Sequence, residues 1–331
     1  MTSNNILLTI AIPTYNRCEV LDKTILSIVS DPLFSKGEIE LVVSDNCSDD
    51  NTPEVVKKYM EQYDNISYNR NSENIGPNAN FILPLKLGKG EFLKLYNDYA
   101  LFLDGTLSFL LQTVKENMEE KPVLFFPNGT IPHAGFEKKR CSSFDEFVDT
   151  ATFFTTWSMA FGIWKDDFNQ LPDIERSIGS LLWQTDVLLR LTAGKPAIVY
   201  NQILIKVQDL QTKGGYNLFK VFCDNYLSFY GEYLNRNILS KQVFRKEKRR
   251  LFLSFIVPSI KVYLIQKKYS FETDKWLKIL FRHYKTYPIF YSKLVYVTAY
   301  MIAYRGWHVI TKDKFKDSKL LLKIKKVLFP I

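Results

Sequence analysis

The 331-residue chain has few of the residues that build disulfide frameworks and metal centres, with only four cysteines and three histidines. They are Cys18, Cys47, Cys141, Cys223, His133, His283 and His308. No C-x-x-C pair occurs, and no histidine has a partner at metal-ligand spacing. We therefore expect free thiols in a reducing compartment, and histidines that are structural or solvated.

Long apolar runs are missing as well. Met1–Asn5 is polar and uncharged, and Ile6–Ile12 is too short for the apolar region of a secretory signal peptide. The segment that comes closest to a membrane span, Tyr287–Tyr304, contains Lys293 and falls short of the roughly 20 apolar residues that a bilayer requires. These observations predict neither a signal peptide nor a transmembrane helix.

Charge is unevenly placed along the chain. Residues 1–210 hold 19 basic and 28 acidic side chains, whereas residues 211–331 hold 25 basic and 7 acidic ones. The first segment therefore carries −9 and the second +18. A basic C-terminal region indicates an anionic partner, either a lipid surface or a nucleic acid. No recognised nucleic-acid-binding module accompanies the charge, which favours the lipid surface.

Strand and helix patterns alternate through the first 210 residues, which predicts an α/β domain with a mainly parallel sheet. The predicted strands are Ile6–Ile12, Ile39–Val43, Ile66–Asn69, Phe92–Tyr96, Val123–Phe126 and Ile198–Val207. The predicted helices are Glu19–Ser30, Thr52–Tyr63, Asn78–Leu87, Thr106–Met118 and Ser177–Ala193. Residues 128–149 are polar and predict a loop or insertion, and the region after residue 216 shows helical patterns only.

Polar loops follow four successive predicted strands. They contain Thr14, Tyr15, Asn16 and Arg17 after the first strand, Asp45 after the second, Asn74, Gly76 and Asn80 after the third, and Asn97 and Asp98 after the fourth. Open α/β sheets bind ligands at the carboxyl ends of their strands, and helix N-termini offer N–H groups to anions. Four such loops together predict a nucleotide site, although the first loop alone fits a plain strand–turn–helix joint equally well.

Side chains of the first two loops have distinct predicted roles. We expect Thr14 and Asn16 to form hydrogen bonds with a nucleotide and Tyr15 to pack on its flat base. Asp45 is expected to accept the imide N–H of uracil, or a related base or ribose donor. The segment Ser48–Asn51 also fits an Asx turn with a helix cap, and this interpretation is preferred for Asp49 and Asp50.

The third and fourth loops add a glycine, an amide and a carboxylate. Gly76 permits close approach of the backbone to a ligand, and Asn80 on the following helix is expected to point back at the base. Asp98 stands where nucleotide-sugar enzymes often place paired carboxylates, which hold a ribose and a divalent metal. Here the next residue is Tyr99.

Together the four loops resemble those of the family 2 glycosyltransferases. The matching stretches are Ile10–Arg17, Val42–Asp49, Asn74-x-Gly76-x-x-x-Asn80 and Asn97-Asp98. The resemblance covers about residues 5–210 and implies the GT-A fold, a Rossmann-like α/β architecture. It further implies that Thr14, Tyr15 and Asp45 contact the nucleoside, and that Asp98 lies near the ribose or the metal.

One departure from the family concerns the metal. The family usually shows Asp-x-Asp or Asp-Asp at this place, whereas this chain continues Asp98-Tyr99-Ala100. The resemblance implies Mn²⁺ or Mg²⁺ with Asp98 as a ligand, so either other groups complete the site or a basic residue replaces the cation. We expect Lys213, in the loop Thr212–Tyr216, to supply that charge as the loop closes over a diphosphate. An ordinary interdomain connector is the alternative.

The stretch Trp183-Gln184-Thr185-Asp186 resembles the motif that carries the family's base. The resemblance implies that Asp186, at the start of a late helix, takes the proton of the acceptor hydroxyl. Displacement at an anomeric carbon requires such a carboxylate on the face opposite the leaving nucleotide. A solvent-exposed carboxylate on a helix surface is the alternative.

The C-terminal segment Lys314–Leu328 alternates lysines with leucine, isoleucine and valine, which predicts a basic amphipathic helix. Such helices lie on anionic membrane surfaces, so we expect a cytoplasmic protein that is peripheral at the inner face of the cell membrane. A helix packed on its neighbours with a solvated lysine face is the alternative. The basic stretch Phe244–Phe252 could support membrane or dimer contacts, which leaves a homo-oligomer open.

The sequence therefore predicts an inverting glycosyltransferase with a GT-A domain at residues 1–210 and a basic helical region at residues 211–331. The expected donor is a UDP-sugar, and the expected acceptor is a surface polysaccharide or a lipid-linked glycan. Because Tyr99 follows Asp98, a catalytically weakened nucleotide-sugar-binding scaffold for other glycosyltransferases is the alternative. No G-x-G-x-x-G follows the first strand, which argues against a dinucleotide-binding oxidoreductase.

Overall fold

A computed structural model describes residues 6–132, 135–209, 214–267 and 270–311, with side chains up to Trp307. The chain divides into two compact units. The first contains the described residues of Met1–Leu210 and also Phe229–Glu247, which the charge pattern alone groups with the C-terminal region. The second contains the described residues of Gln211–Ser228 and Lys248–Ile331.

Strands and helices alternate in the first unit. Its strands are β1 (Leu8–Thr14), β2 (Ile39–Asp45), β3 (Ile66–Arg70), β4 (Phe92–Leu95), β5 (Ala100–Phe102), β6 (Val123–Phe125), β7 (Lys138–Cys141), β8 (Gly162–Trp164), β9 (Ala197–Tyr200) and β10 (Ile205–Val207). Its helices are α1 (Cys18–Val29), α2 (Thr52–Met60), α3 (Pro77–Leu87), α4 (Thr106–Glu116), α5 (Phe144–Ala151), α6 (Lys165–Gln170) and α7 (Trp183–Thr192). Short 3₁₀ turns occur at Phe34–Lys36, Thr152–Thr156, Ser158–Ala160 and Ile178–Ser180. The segment Phe229–Glu247 comprises most of helices α8 (Tyr226–Asn235) and α9 (Lys241–Arg250) and the turn between them.

The central sheet has five strands in the order β3-β2-β1-β4-β8. Strands β1 to β4 run parallel, and β8 pairs antiparallel with β4, so the predicted mainly parallel sheet is confirmed. From β1 the chain first builds outward through β2 and β3, and then returns to place β4 on the other side of β1. The order therefore reverses between β1 and β4, and such reversals open a ligand crevice at the carboxyl ends of the strands.

The apolar sequences of β1 and β2 suit their central place in the sheet. Every residue of β1 and β2 is buried, as expected for strands of a parallel sheet that is covered on both faces. Helix α1 buries Leu21, Ile25 and Ile28, whose spacing of three and four residues forms one apolar stripe. Helices α1 and α2 pack on each other, and α3 packs on β1 and β2. This core fixes the four loops at one edge of the sheet.

Two smaller sheets correct the sequence-based boundaries. Strand β9 lies between β6 and β7, and β10 pairs with β5. The predicted single strand Ile198–Val207 is wrong because the Asn128 side chain accepts hydrogen bonds from the amides of Leu204 and Ile205, and so redirects the chain between β9 and β10. The predicted loop at residues 128–149 contains β7 and α5, and the side chain of Ser143 caps α5 by accepting the amide of Glu146.

The second unit is mainly helical. It contains the short strands β11 (Gly214–Asn217) and β12 (Ser270–Glu272), helix α10 (Val257–Ser259) between π-helical segments, and helices α11 (Trp276–Tyr284) and α12 (Pro288–Thr311). The prediction of helices alone is therefore wrong for β11 and β12, which pair in parallel. Gly214 permits this pairing, because a Cβ there would lie 2.4 Å from the carbonyl carbon of Ser270. No helix within the described ranges is long and apolar enough to cross a bilayer.

Candidate functional site

The loops that follow β1 and β4 meet where the strand order reverses, and an ion pair joins them. Arg17 Nη1 lies 2.9 Å from Asp98 Oδ1, and the hydroxyl of Thr14 donates to Asp98 Oδ2 at 2.8 Å. The amide of Tyr15 donates to the same carboxylate. The side chain of Asp98 is 1% exposed and that of Arg17 is 35% exposed. A buried anion is thus held by a cation that faces solvent.

Burial is the main influence on Asp98. It raises the pKa of this carboxyl above the ordinary value, although the charge of Arg17 and the hydrogen bond from Thr14 oppose the increase. An unpaired carboxylate in such a place would be costly, so Asp98 depends on the guanidinium beside it.

Tyr99 occupies the place where the resemblance implies a second carboxylate. Its ring lies beneath the guanidinium of Arg17, 5.7 Å from centroid to Cζ, and its hydroxyl accepts from the amide of Asn97. The oxygen of the same side-chain amide, Asn97 Oδ1, accepts a hydrogen bond from the hydroxyl of Ser158 at 3.1 Å. Burial raises the pKa of Tyr99. Asn97 and Tyr99 therefore support the ion pair from within the protein.

The groups at this place do not fit a divalent cation. Such ions prefer several oxygen ligands, usually one or two carboxylates together with phosphate oxygens and water. Asp98 is the carboxylate available, and Thr14, Tyr15 and Arg17 already bind it. Throughout the part of the chain that is described, no three His, Cys, Asp or Glu side chains cluster as a metal site. The predicted role of Asp98 as a metal ligand conflicts with these contacts.

The turn between β1 and α1 is closed by the loop that follows β2. Asn16 has a φ of +51°, which asparagine tolerates better than most residues, and its amide donates to Ser48 Oγ at 2.8 Å. In return Asn16 Oδ1 accepts the amide of Asp49 at 2.7 Å. The amide of Cys18 donates to Asp50 at 2.9 Å. In this conformation the protein itself uses these amides, so contacts of this turn with a nucleotide stay a prediction. Asp50 Oδ1 also accepts the amide of Thr52 at 3.1 Å, as the Asx-turn interpretation of Asp50 predicts.

Asp45 is engaged in the same way. Its side chain is completely buried, Oδ1 accepts the amide of Ser48 at 2.9 Å, and Oδ2 accepts the hydroxyl of Tyr68 at 2.6 Å. Arg70 Nε lies 3.6 Å from Oδ2. Burial and the neighbouring carboxylate raise the pKa of Tyr68. In this conformation Asp45 orders the loop after β2, and both of its oxygens have partners within the protein.

Asn80 also points into the protein. Its Oδ1 accepts from the hydroxyl of Ser44 at 2.7 Å, and its Nδ2 donates to the carbonyl of Ser44 at 3.0 Å. In this conformation Asn80 thus serves the end of β2, where the last backbone groups of a strand need partners, and its contact with a base stays a prediction. Asn74 instead lies in the exposed part of the third loop, where Oδ1 accepts the amide of Gly76 at 2.9 Å. Gly76 has a φ of +85°, with open space where a Cβ would stand.

Five of the predicted residues are accessible to solvent. The ring of Tyr15 is 41% exposed, Asn16 and Asn74 are exposed, and Arg17 and Gly76 are partly exposed. We call the loops at residues 15–17, 46–51, 71–76 and 96–99 the loop edge. Its outward surface offers an aromatic ring, a guanidinium and a glycine turn, which are suited to a base, an anion and a close backbone approach.

Asp186 lies in the first turn of α7 and is 1% exposed. Arg176 binds it with two nitrogens: Nε lies 3.0 Å from Oδ2, and Nη2 lies 2.5 Å from Oδ1. The same guanidinium reaches Glu232 at 3.2 Å. These contacts raise the pKa of Arg176, mainly through the hydrogen bond with Asp186. The alternative of a solvent-exposed carboxylate is wrong, since Asp186 is buried.

The loop that carries Arg176 is attached to the loop edge. The side chain of Asn78, in the first turn of α3, donates to the carbonyl of Ile178 at 2.6 Å. Helix α3 begins directly after Gly76. A short series of contacts therefore leads from the exposed glycine turn through Asn78 and the 3₁₀ turn to the partner of Asp186.

Residues 9–125 match the protein-family model for glycosyl transferase family 2. This part of the chain is a family 2 glycosyltransferase domain. The match contains β1 to β6 and all four loops of the loop edge, so the predicted family is confirmed for the residues that carry the resemblance. Asp186 lies beyond the matched residues.

Two relatives match stretches of this chain that are about as long as the family match. The abequosyltransferase RfbV of Salmonella typhimurium is 35% identical over 116 residues, which are 34% of this chain and 34% of that protein. A GalNAc(5)-diNAcBac-PP-undecaprenol β-1,3-glucosyltransferase of Campylobacter jejuni is 36% identical over 111 residues, which are 33% of this chain and 35% of that protein. The chain thus spans about a third of the length of the curated relatives it matches.

Solved structures extend the likeness of fold beyond the matched domain. S. aureus TarS 1–349 in complex with UDP-GlcNAc has a TM-score of 0.57 and 18% identity, over 83% of this chain and 80% of TarS 1–349. The mannosyltransferase PcManGT of Pyrobaculum calidifontis, in complex with GDP-Man and Mn²⁺, has a TM-score of 0.52 and 13% identity. This likeness covers 93% of this chain and 88% of PcManGT. The predicted GT-A fold is confirmed by these likenesses.

Two features of the first unit had no clear signal in the sequence. Arg176 precedes Asp186 by ten residues, and nothing in the intervening loop marks it as a partner. Lys94 is completely buried in β4, where its side-chain nitrogen lies 2.6–3.0 Å from the carbonyl oxygens of Leu95, Met159 and Phe161. Other predicted features, among them Lys213, His133 and the segment Lys314–Leu328, lie outside the described residues.

Proposed function

We propose that the protein is an inverting glycosyltransferase that transfers a sugar from a nucleoside diphosphate, most simply UDP, to a surface polysaccharide or a lipid-linked glycan. One observation carries the proposal: in a family 2 domain, the exposed Tyr15 and the Arg17–Asp98 pair stand together where the strand order reverses. A base and a diphosphate need such a ring and such a cation side by side. TarS, whose fold this chain shares, was solved with UDP-GlcNAc.

On the donor side, Tyr15 would stack on the base and Arg17 would face the diphosphate. The turn at Asn74 and Gly76 would allow the backbone to approach the ligand closely. The buried residues Thr14, Asp45, Asn80, Asn97 and Asp98 would act mainly by holding these groups in place. Asn16 is exposed, but it would act in the same way because its amide and its Oδ1 already bind Ser48 and Asp49.

On the acceptor side, Asp186 would act as the base. One of its oxygens would take the proton of an acceptor hydroxyl, whose oxygen attacks the anomeric carbon. The bond from that carbon to the diphosphate breaks on the opposite face, the electron pair leaves with the nucleotide, and the configuration inverts. Arg176 must release one oxygen of Asp186 for this step, and Glu232 is the neighbouring carboxylate that can take over the guanidinium.

The proposed acceptor class rests on the name of a relative and on the charge of the C-terminal region. The name of the Campylobacter jejuni relative includes a polyprenyl-diphosphate-linked glycan, and such a substrate requires an enzyme at a membrane surface. The charge of +18 in residues 211–331 suits the anionic inner face of a cell membrane. We therefore propose a cytoplasmic, peripheral location, with the basic region at residues 211–331 facing the membrane.

Two measurements test the function. Thermal unfolding with UDP, GDP, CDP and dTDP, each with EDTA or Mn²⁺, identifies the nucleotide that stabilises the protein. Slow release of free nucleotide from the matching nucleotide-sugars then distinguishes a transferase from a scaffold, because a scaffold binds the donor without hydrolysing it.

The Asp186→Asn variant tests the base. We expect it to lose about 10²- to 10⁴-fold in transfer and hydrolysis while its nucleotide affinity stays unchanged. Asp64→Asn, at an exposed carboxylate of the same unit, is the matched control. Full activity of Asp186→Asn, or the absence of nucleotide binding by the natural sequence, would contradict the proposal.

A further inference from the structure

We propose that Arg17, anchored by Asp98 and Tyr99, is the cation that binds the donor diphosphate, in place of a divalent metal ion. This inference rests on the proposed function and concerns how the same site neutralises its substrate. It assigns the role to a residue of the β1–α1 turn instead of Lys213.

The first step concerns Asp98. In a metal-dependent site, its carboxylate would point at the ion with oxygens free to bind it. Here Oδ2 accepts the hydroxyl of Thr14 and Oδ1 accepts Arg17, at 2.8 Å and 2.9 Å. A metal would have to displace a guanidinium from a carboxylate that is 1% exposed. Asp98 therefore serves as the anchor of Arg17.

The second step concerns the donors that Arg17 retains. A guanidinium has five N–H groups in a planar fork, and the contact with Asp98 uses the nitrogen Nη1. The side chain is 35% exposed at the loop edge, beside the exposed ring of Tyr15. Arg17 can therefore bind an anion without leaving Asp98, and guanidinium–phosphate contacts are among the stronger hydrogen bonds in proteins.

The third step concerns the competing donors. A phosphate next to a helix N-terminus is usually held by backbone amides. In this turn the amides of Tyr15, Asn16 and Cys18 already donate to Asp98, Ser48 and Asp50. These three amides are therefore engaged within the protein, and Arg17 is the cation that this turn presents to a phosphate.

The fourth step concerns why a tyrosine, Tyr99, stands where the family usually has a second carboxylate. A second carboxylate at position 99 would compete with a diphosphate for Arg17, whereas the ring of Tyr99 supports the guanidinium from 5.7 Å without adding negative charge. The departure from the family's paired carboxylates and the presence of Arg17 are thus two parts of one arrangement.

The test compares a nucleoside with its diphosphate in the full chain. We expect the natural sequence to bind UDP equally well in EDTA and in Mn²⁺. Arg17→Gln should weaken UDP binding by about 10- to 100-fold and leave uridine binding unchanged. Arg17→Lys keeps the charge that Asp98 needs and should weaken UDP binding less than Arg17→Gln does. It can still be measured if the glutamine variant fails to fold. Lys57→Gln removes one exposed cation from the same unit and is the matched control.

A second variant asks whether a metal site can be restored. In Arg17→Gln combined with Tyr99→Asp, UDP binding should become dependent on Mn²⁺. Loss of UDP binding by the natural sequence in EDTA, or equal UDP affinity of the natural sequence and both Arg17 variants, would overturn the inference. The two proposals can fail separately: if no nucleoside diphosphate binds the natural sequence, the proposed function has failed, whereas unchanged UDP binding by the Arg17 variants contradicts this inference alone.

Discussion

Arg176 holds both carboxylate oxygens of Asp186, with Nε 3.0 Å from Oδ2 and Nη2 2.5 Å from Oδ1. The carboxylate is 1% exposed, whereas 38% of the Arg176 side chain is exposed. The proposed base is therefore protected from solvent and held ready by a residue on a surface loop. In the proposed mechanism this contact would have to open during the reaction, which would link the stability of the site to catalysis.

Arg176→Lys should lower the free energy of unfolding. Lysine cannot reproduce the two-pronged contact, so one oxygen of a buried carboxylate loses its partner, at a cost of about 1–2 kcal/mol after allowance for the exposure of Arg176. Urea unfolding at neutral pH measures this difference. Arg140→Lys is the matched control, since Arg140 also binds Glu120 with two nitrogens, but both partners are exposed. A cost as small as that of the control would contradict the prediction.

Lys94 should make stability depend on pH. Burial lowers its pKa well below the ordinary value of 10.5, so the folded state favours the neutral amine while the unfolded state stays protonated up to that value. The unfolded state then binds the additional proton, and stability rises as the pH increases towards 10.5. We expect a contribution of up to about 1.4 kcal/mol per pH unit within about two pH units below 10.5.

Lys94→Met removes this titration and should flatten the increase. The measurement is urea unfolding of both proteins across that pH range, with Lys57→Met as the exposed control. Comparing slopes cancels the contributions of other groups that both proteins share. Parallel pH profiles for the natural sequence and Lys94→Met would show that Lys94 keeps an ordinary pKa in the folded state.

Tyr15→Ala tests the proposed stacking. Base–aromatic contacts contribute about 1–3 kcal/mol per base, so uridine and UDP affinities should fall together by about 10-fold or more. Tyr15→Phe retains the ring and should bind as the natural sequence does. Because 41% of Tyr15 is exposed, thermal stability should change little in either variant. Isothermal titration with both ligands decides, and unchanged uridine affinity of Tyr15→Ala would refute the stacking role.

Much of the fold could be predicted because apolar runs and loop chemistry are local properties. Strand β1 and the turn at Tyr15 and Arg17 follow from a continuous apolar segment that ends in polar residues. Strands β5 and β8 have three residues each, too few for a periodicity to show. The partnership of Arg176 with Asp186 also escaped prediction, since it depends on how a loop packs on α7.

The direction of amide and carboxylate side chains in the loop edge was the least predictable feature. Asp45 and Asn80 carry groups that suit a ligand and the protein backbone equally well, and the sequence contains no signal that distinguishes these uses. In the folded chain both are buried and bind neighbouring strands and loops. Residues that the family resemblance assigns to the donor can therefore contribute by ordering the site.

Asn80→Ala separates these two roles. If Asn80 joins the ends of β1 and β2 to α3, its removal leaves Ser44 Oγ without its acceptor and the carbonyl of Ser44 without a donor, so the free energy of unfolding should fall by about 1–3 kcal/mol. Uridine affinity, measured well below the unfolding temperature, should change by less than in Tyr15→Ala. Asn74→Ala changes the exposed turn of the same loop. It should lower uridine affinity more than Asn80→Ala does and have little effect on the free energy of unfolding. A large loss of uridine affinity in Asn80→Ala at unchanged stability would instead show that Asn80 contacts the base. The loop edge would then have to rearrange upon binding.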